Sequence, residues 1–518
     1  MSKFEEYFNK DFIHLKDNEI DINCLLSENM YLISGDFYGI QKFIFEGLTT
    51  KNAAKVLRAK SAFVQLFTSV ISKYICSKLQ IDEKCILTQN AGKFEILSPK
   101  MDENIINEIQ KTVNEYFIKT FYGLSGINIC FVSCDKNDFQ ESTKYKKLRE
   151  KIANEIEKSK FKKFHLQTQE PILSYDENIT NQTLCKVCNM RKVKDEKAKE
   201  PCCELCDDFI SLGKKLTTFK IDEIIKSDSI GIKFDDFVCN LVIDEKIKSY
   251  VAKNQKGEIL EFEDFSENSQ GAGAIGILKA DVDGMGLFLK KENNSVTDCF
   301  ENFDLFSKTL DNFFSLHIPR KMEKDFKNTY TVFAGGDDLF LLGSWDVILE
   351  LARFIESEFK RFVKSSELTI SFGIAMAKPS KPISYLANET EHLLENSKEV
   401  DGKDAITLFG ETVKWDSYKK VFKTLNEDLE KIDEKDINTA FLYRLLDFCE
   451  MNKKIKYKKK EEELDIKNTL WKSKLVYSFT RNMDKKYISI LNTLNDSIEE
   501  NPKETKMTIC EFIYKRRD

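Results

Sequence analysis

No apolar run in this sequence approaches the roughly 20 residues that a helix needs to cross a membrane. The amino terminus, residues 1–6, is charged and lacks the apolar core of a signal peptide. Neither charge prevails, since 80 basic and 86 acidic side chains give a formal net charge of −6. These absences argue against a membrane or secreted protein and against a uniformly basic nucleic-acid binder, so we expect a cytoplasmic chain in which any nucleic-acid surface is local.

Cysteine is not scarce, but most of the 14 cysteines are scattered, which in a large intracellular chain favours free thiols and metal ligands over disulfides. Cys185 and Cys188 form one C-x₂-C pair, and Cys203 and Cys206 form a second pair after 14 intervening residues. Two such pairs are typical of tetrahedral structural zinc sites. We predict that these four thiols bind Zn²⁺, with Cys202 as a spare or substitute ligand; four buried thiols without metal are the alternative.

Residues 331–342 predict a β-hairpin with acidic residues at its tip. Gly335, Gly336, Asp337 and Asp338 lie between two apolar, strand-forming runs. Taken alone, this motif is also compatible with a solvated turn, because glycine and aspartate are common in turns.

A second acidic motif lies upstream, at the end of another apolar strand. It contains Asp281 and Asp283, followed by Gly284. Carboxylates at strand ends and hairpin tips can meet across a sheet, and several carboxylates suit Mg²⁺ or Mn²⁺, which leave coordination positions for substrate phosphates. We therefore predict a metal site for phosphoryl transfer with Asp281, Asp337 and Asp338 as ligands. Two unrelated turns are the alternative; the later ligands of an EF-hand calcium loop are missing.

The chain uses one unit twice. Each copy has a strand, an Asp-x-x-Gly turn at 36–39 or 281–284, a helix, a hairpin and a later β-branched strand. This order is the ferredoxin-like β-α-β-β-α-β arrangement. The first hairpin has Lys93 and Phe94 where the second has its two acids, so we predict a degenerate first copy that serves as a binding partner to an active second copy.

The carboxyl-terminal part has a helical pattern from about residue 416 onward. Phe441, Leu445 and Phe448 belong to one broad apolar face. The lysine-rich run at 453–460 is predicted to be a solvated loop rather than a nucleic-acid patch.

Several motifs occur in a specific order across residues 31–415. They are Gly35-Asp36-x-x-Gly39-Ile40-Gln41-x-Phe43-Ile44-Phe45, the cysteine pairs, Asp281-x-Asp283-Gly284, Gly335-Gly336-Asp337-Asp338, Ser371-Phe372-Gly373-Ile374-Ala375 and Gly402-Lys403-Asp404-Ala405. The series resembles the large polymerase/cyclase subunit of type III CRISPR effector complexes, of the Csm type.

The resemblance implies an RNA-guided antiviral function. Two palm domains would face each other and bind two ATP molecules, and the second palm would join ATP into cyclic oligoadenylate when the complex holds a target RNA. The implied partners are the other effector subunits, guide RNA and target RNA, with no membrane. The implied or candidate nucleotide contacts are Gly335, Gly336, Asp283, Gly284, Ser307, Ser61, Asp36 and Lys403, with Lys398 as a further candidate.

Members of this family often carry an amino-terminal HD nuclease domain, and the sequence departs from the family there. None of the four histidines, His14, His165, His317 and His392, precedes an aspartate. HD-type sites need clustered His and Asp ligands. We therefore expect no HD-type nuclease in this chain.

The resulting prediction is an α+β protein with two ferredoxin-like palm domains, a zinc-binding insert and a helical domain. The expected boundaries are a short segment at 1–28, the first palm at 29–165, the zinc-binding linker domain at 166–270, the second palm at 271–415 and the helical domain at 416–518. Two functional alternatives remain open at this point: a palm-domain nucleotidyltransferase that joins ATP to another small molecule, and a catalytically silent scaffold of an RNA complex.

Overall fold

The structure is a computed structural model, and it describes residues 3–18, 20–49, 52–90, 92–161, 183–199, 201–292, 294–458 and 465–517. His165 and residues 459–460 of the lysine-rich run lie outside this part. None of the described helices combines the length and the apolar character that a membrane-spanning segment requires.

Twelve strands are described. They are β1 Met30–Tyr38, β2 Ile86–Asn90, β3 Lys93–Ser98, β4 Gly126–Cys134, β5 Glu223–Lys226, β6 Asn240–Ile243, β7 Ile275–Asp283, β8 Thr329–Gly335, β9 Asp338–Ser344, β10 Thr369–Ala377, β11 Ala405–Leu408 and β12 Glu411–Lys414.

Twenty α-helices are described, besides a π-helical turn at Phe313–His317 and several 3₁₀ turns. They are α1 Lys3–Tyr7, α2 Ile40–Phe45, α3 Ala53–Leu79, α4 Glu103–Phe121, α5 Lys136–Gln140, α6 Ser142–Lys160, α7 Glu204–Thr218, α8 Glu245–Lys248, α9 Phe262–Glu267, α10 Met285–Lys290, α11 Phe300–Asn312, α12 Ile318–Asp325, α13 Trp345–Phe362, α14 Ile383–Lys398, α15 Trp415–Glu430, α16 Thr439–Lys456, α17 Ile466–Thr469, α18 Trp471–Asn482, α19 Ile488–Glu500 and α20 Pro502–Lys515.

The two larger sheets share one strand order, which confirms the predicted repeat. The first sheet is ordered β2-β3-β1-β4, and the second contains the equivalent series β8-β9-β7-β10, extended at its β10 edge by β11 and β12. Both series are the ferredoxin-like arrangement. We call the elements from β1 to β4 the first unit and those from β7 to β10 the second unit.

The strand register corrects the hairpin comparison by one residue. Asp36 on β1 lies opposite Lys93 on β3, just as Asp281 on β7 lies opposite Asp338 on β9. Lys93 therefore corresponds to Asp338, and not to Asp337. The sequence comparison aligned the hairpin glycines, but the left-handed glycine Gly92 (φ +88°) directly precedes the second strand of its hairpin, whereas Gly336 (φ +65°) lies two residues before Asp338.

Aromatic packing attaches the amino-terminal segment to the second unit. The ring of Phe8 stacks on Phe362 of α13 at a centroid distance of 4.6 Å, and Phe12 packs against Phe313 and Phe362. Burial of such large apolar rings stabilises a segment that has little secondary structure of its own. A separate apolar cluster, which includes Leu425, Phe441 and Leu494, forms the core among helices α15–α20.

The start of the lysine-rich run differs from the predicted solvated loop, whereas residues 457–458 are exposed and lie outside the helix. Residues 453–456 form the last turn of α16. The Lys453 ammonium lies 2.9 Å from Glu450 and 2.5 Å from Glu411. Because the buried Glu411 carboxylate needs a cation, this end of the run is held against β12 rather than released into solvent.

Candidate metal and nucleotide site

Asp281 and Asp338 meet across two neighbouring strands. Asp281 on β7 has Asp338 of β9 as its register partner on one side and Ser371 of β10 on the other. Directly opposed residues of an antiparallel pair place their Cβ atoms about 4.5–5.5 Å apart. The two carboxylates therefore lie on one face of the sheet, near the end of β7 and at the start of β9.

The turn that carries Asp337 is fixed by hydrogen bonds from outside the hairpin. The backbone N–H of Gly336 donates to Oδ1 of Asp311 on α11 (2.7 Å), and the N–H of Val282 donates to the carbonyl of Asp337 (3.1 Å). Asp311 is buried and also pairs with Lys246 of α8. Sequence reasoning missed Asp311 and Lys246, because neither belongs to a motif and their contacts join segments that are far apart in the sequence.

Asp338 is a half-buried acid whose Oδ1 atom is fully buried. Burial, helped by Asp337 and Glu391 and opposed by Lys279 and Gln41, raises the pKa of its carboxyl to about 6. Gln41 Nε2 lies 3.4 Å from Asp338 Oδ2, and Oδ1 has no hydrogen-bond partner among the described residues. A buried carboxylate oxygen without a donor is costly unless a cation binds it, so this acid fits a metal ligand.

Lysines surround the acidic pair. Lys398, at the end of α14, forms an ion pair with Asp281, and the buried Lys279 of β7 pairs with Glu391 on the same helix. Burial lowers the pKa of Lys398 to about 8, with Lys403 and Lys279 acting in the same direction. A cationic rim beside carboxylates is the electrostatic setting that a metal-bound triphosphate requires.

The predicted contacts Asp283 and Gly284 serve the scaffold in this structure. Asp283 is 3% exposed, and its Oδ2 accepts hydrogen bonds from Ser371 Oγ (2.7 Å), Thr369 Oγ1 (3.0 Å) and the N–H of Asp404 (3.2 Å). Gly284 adopts φ +77°, and a Cβ atom there would lie 2.8 Å from the carbonyl oxygen of Glu367. The Asp-x-x-Gly turn therefore demands glycine for its own geometry.

The first unit lacks the acidic pair. Asp36 is buried, and its Oδ2 lies 3.8 Å from the Lys160 ammonium. Lys93 replaces the second acid, as the register shows. Two cations near one carboxylate leave this position without the excess negative charge that a divalent metal needs.

The two candidate serines have different surroundings. Ser61 on α3 lies in a small polar cleft with Arg58, Lys246 and Ala334, the residue before the Gly-Gly-Asp-Asp motif. Ser307 on α11 is exposed. The cleft brings Ser61 of the first unit to the hairpin of the second unit.

The four predicted cysteines come together. The sulfurs of Cys185, Cys188, Cys203 and Cys206 all lie within 4.8 Å of one another and are buried, while Cys202 is outside the group. The Cys188–Cys203 sulfur distance is 3.9 Å, close to the ~3.8 Å that two ligands at about 2.3 Å from one zinc would have. The N–H of Cys206 points to the Cys203 sulfur at 3.4 Å, which favours a thiolate. The donor set therefore fits zinc.

Within the described ranges, these cysteines are the one group of three or more His, Cys, Asp or Glu side chains gathered this tightly. The carboxylates of Asp281, Asp337 and Asp338 do not gather this tightly, so their role as a shared metal-ligand set stays a prediction. His14 and His317 lie close together, although no histidine precedes an aspartate: their rings lie 5.7 Å apart, and His317 Nε2 is 3.0 Å from Glu358. The expected absence of an HD-type nuclease site stays a prediction.

Comparisons with known proteins match both units. Residues 274–407 match the family described as "Cas10/Cmr2, second palm domain", and residues 29–178 match "Csm1 subunit domain B". A relative from Methanocaldococcus jannaschii, named CRISPR system single-strand-specific deoxyribonuclease Cas10/Csm1 (subtype III-A), is 29% identical over 485 residues. That similarity covers 74% of this chain, which spans 59% of the length of the relative.

Solved structures share the fold at low identity. The Csm1–Csm4 subcomplex of the type III-A CRISPR-Csm interference complex matches with a TM-score of 0.70 and 18% identity, over 94% of this chain and 70% of that one. A Csm1–Csm4 cassette in complex with cA3 matches with a TM-score of 0.68 and 19% identity, over 94% and 71%. Through its two matched units and the named relative, the chain is similar to the Cas10/Csm1 proteins of type III-A CRISPR systems.

Proposed function

We propose that this chain is the subunit of a type III-A CRISPR effector complex that joins ATP into cyclic oligoadenylate when the complex binds target RNA. The observation that carries the proposal is the Asp281–Asp338 pair, which faces the first unit and has lysine side chains beside it. The solved relative in complex with cA3 has the same fold, which favours this product class.

Asp281, Asp337 and Asp338 would hold Mg²⁺ or Mn²⁺. The metal, when bound, lowers the pKa of an attacking 3′-hydroxyl and neutralises charge on the α-phosphate. The protein's contribution is to hold the acids in place: the strand register fixes Asp281 opposite Asp338, and the Asp311–Gly336 hydrogen bond fixes the turn that carries Asp337.

The nucleotide would lie between the units. Gly335 and Gly336 have no side chain to block a triphosphate, and Lys398 and Lys403 supply compensating positive charge. Ser61, at the cleft beside Ala334, is positioned for an adenine or ribose contact, with Ser307 as its counterpart in the other unit. Asp36, Asp283 and Gly284 shape the pocket walls through their turns.

The cysteine group would bind one structural zinc ion. Four sulfur ligands leave no open coordination position, so this site is expected to stabilise the insert rather than to react. We also propose the division into a segment at 1–28, palms at 29–165 and 271–415, a zinc-binding linker at 166–270 and a helical domain at 416–518. The partners would be a Csm4-like subunit, other effector subunits, and guide and target RNA.

The test is to incubate the assembled complex with ATP and Mg²⁺ or Mn²⁺, with and without target RNA, and to identify products by mass spectrometry. Cyclic oligoadenylates that depend on target RNA would support the proposal. Products in which AMP is joined to another molecule would indicate a different nucleotidyltransferase activity. The absence of any product under all conditions would favour a catalytically silent scaffold.

A further inference from the structure

We infer that Gln41, on the first unit, is a positioning residue for Asp338 on the second unit. The inference rests on the proposed function, because it assigns Gln41 the task of orienting a carboxylate that binds metal. Gln41 is exposed, yet its Nε2 reaches across the boundary between the units to within 3.4 Å of Asp338 Oδ2.

The helix that carries Gln41 is anchored on the strand that carries Asp338. Phe45, at the end of α2, packs on Phe340 of β9 with a ring-centroid distance of 4.5 Å. Phe340 lies two residues after Asp338 and therefore on the same face of the sheet. Gly39 begins α2 with φ +70°, which sets the direction in which the helix leaves β1. The position of Gln41 is thus determined by packing at one end of α2 and by a turn at the other.

The two units differ at both residues of the Gln41–Asp338 contact. Two residues after the turn glycine, the first unit has Gln41 and the second has Gly286. Gln41 meets Asp338, whereas the residue that corresponds to Asp338 in the first unit is Lys93. A Cβ atom at Gly286 would have no neighbour within 4 Å, so crowding does not demand glycine there. The glutamine is therefore present only where it faces the acidic pair.

A neutral amide suits this role better than a cation. A carboxylate that binds metal through one oxygen is commonly oriented by a hydrogen bond to the other oxygen. Gln41 approaches Oδ2, while Oδ1 has no hydrogen-bond partner in the described part of the chain. Lys279, the nearby cation, is paired with Glu391. Gln41 can hold the carboxylate without introducing a positive charge that would compete with a divalent metal.

The test compares Gln41→Met with Lys42→Met in the full-length chain. Methionine keeps the length of glutamine but donates no hydrogen bond. Lys42 is the next residue on α2, also exposed, so its replacement is a matched control. Mn²⁺ binding is measured by electron paramagnetic resonance, and ATP turnover by the assembled complex is measured as separate kcat and KM values.

We expect Gln41→Met to weaken Mn²⁺ binding or to lower kcat about 10-fold, the lower end of the effect of groups that orient metal ligands. The KM for ATP and the melting temperature should stay near those of Lys42→Met. If both variants bind Mn²⁺ and turn over ATP alike, the inference is wrong, and a loss of stability without a change in Mn²⁺ binding or kcat also overturns it. If the wild-type complex makes no product, the proposed function fails while the Mn²⁺ comparison still decides the role of Gln41.

Discussion

Asp338 on β9 lies directly opposite Asp281 on β7, so the hairpin acid and the strand-end acid form a pair built into the sheet itself. Replacing these two polar side chains should leave the apolar contacts on both faces of the sheet intact. We expect the double change Asp337→Ala and Asp338→Ala to lower product formation from ATP by at least about 100-fold, because it removes two of three proposed metal ligands.

Assembly of the complex should change little in this double variant and its melting temperature should not fall, and size-exclusion chromatography and thermal unfolding would check both. The double change Glu323→Ala and Asp325→Ala, at two exposed acids near the end of α12, is the control for the loss of two negative charges. Product yield near that of the wild type in the double variant would exclude the acidic pair from the chemistry.

The raised pKa of Asp338 has a consequence for stability. Burial raises the pKa of this carboxyl from its usual 3.8 to about 6, so the folded state holds the proton more tightly than the unfolded state does. For such a group, stability falls as the pH rises through the window from about 4 to 6, and the loss is complete above it. The neutral amide of Asp338→Asn avoids this loss.

We therefore expect Asp338→Asn to raise the free energy of unfolding at neutral pH by about 1–3 kcal/mol, since one pKa unit corresponds to about 1.4 kcal/mol. Urea unfolding at about pH 7.5, without added divalent metal and without a chelator that would strip zinc, measures the difference. The gain should shrink as the pH falls and vanish below about pH 3, where the wild-type carboxyl is protonated in both states. Added Mn²⁺ should narrow the gap by stabilising the wild type. Equal free energies of unfolding for Asp338→Asn and the wild type at both pH values would contradict this account.

Lys398 pairs with Asp281 in this structure and stands at the end of the helix that borders the site. Replacing Lys398 with methionine removes a positive charge that would offset the negative charge of the triphosphate. We expect Lys398→Met to raise the KM for ATP about 3- to 10-fold, the effect of one lost charge-assisted contact of about 1 kcal/mol or slightly more. Initial-rate measurements on the assembled complex, with Lys381→Met just before the same helix as a control, would check it. An unchanged KM would remove Lys398 from the nucleotide site.

Much of the site could be predicted because its signals are local. The hairpin, the Asp-x-x-Gly turns and the C-x₂-C pairs are each contained in a few residues, and the repeat predicts that the strands bearing Asp281 and Asp338 are neighbours. The strand register was harder to predict: aligning Gly92 with Gly336 displaced the comparison by one residue, because the left-handed position differs between the two turns.

Contacts between distant segments could not be predicted. Gln41 and Asp338 are 297 residues apart, and Lys246 and Asp311 are 65 residues apart. Nothing in the local pattern around Gln41 shows that α2 faces the other unit, since that depends on the packing of Phe45 against Phe340. The setting of Asp283, buried among donors from β10 and the Asp404 loop, likewise follows from tertiary structure alone.

The cysteine insert is joined to the first unit immediately after α2. The N–H of Thr49 donates to the carbonyl of Val187 (3.0 Å), its hydroxyl donates to the carbonyl of Lys186 (2.7 Å), and a Cβ atom at Gly47 would lie 2.6 Å from the carbonyl oxygen of Cys188. Zinc that orders residues 185–188 would therefore also order the segment that follows α2. We expect Cys188→Ser to lower the zinc content to well below one ion per chain and to lower the first unfolding transition by roughly 5 °C or more, because zinc binding contributes directly to folding.

Cys202→Ser is a closely matched control, since Cys202 adjoins the ligand Cys203 but lies outside the group of four sulfurs. It should keep one zinc ion, measured by inductively coupled plasma mass spectrometry on freshly purified protein, and should melt like the wild type. Cys188→Ser should in addition increase hydrogen exchange in residues 47–49, where the backbone loses its ordered partner. Full zinc content in Cys188→Ser, or the same zinc loss in Cys202→Ser, would show that the four predicted thiols are not the ligand set.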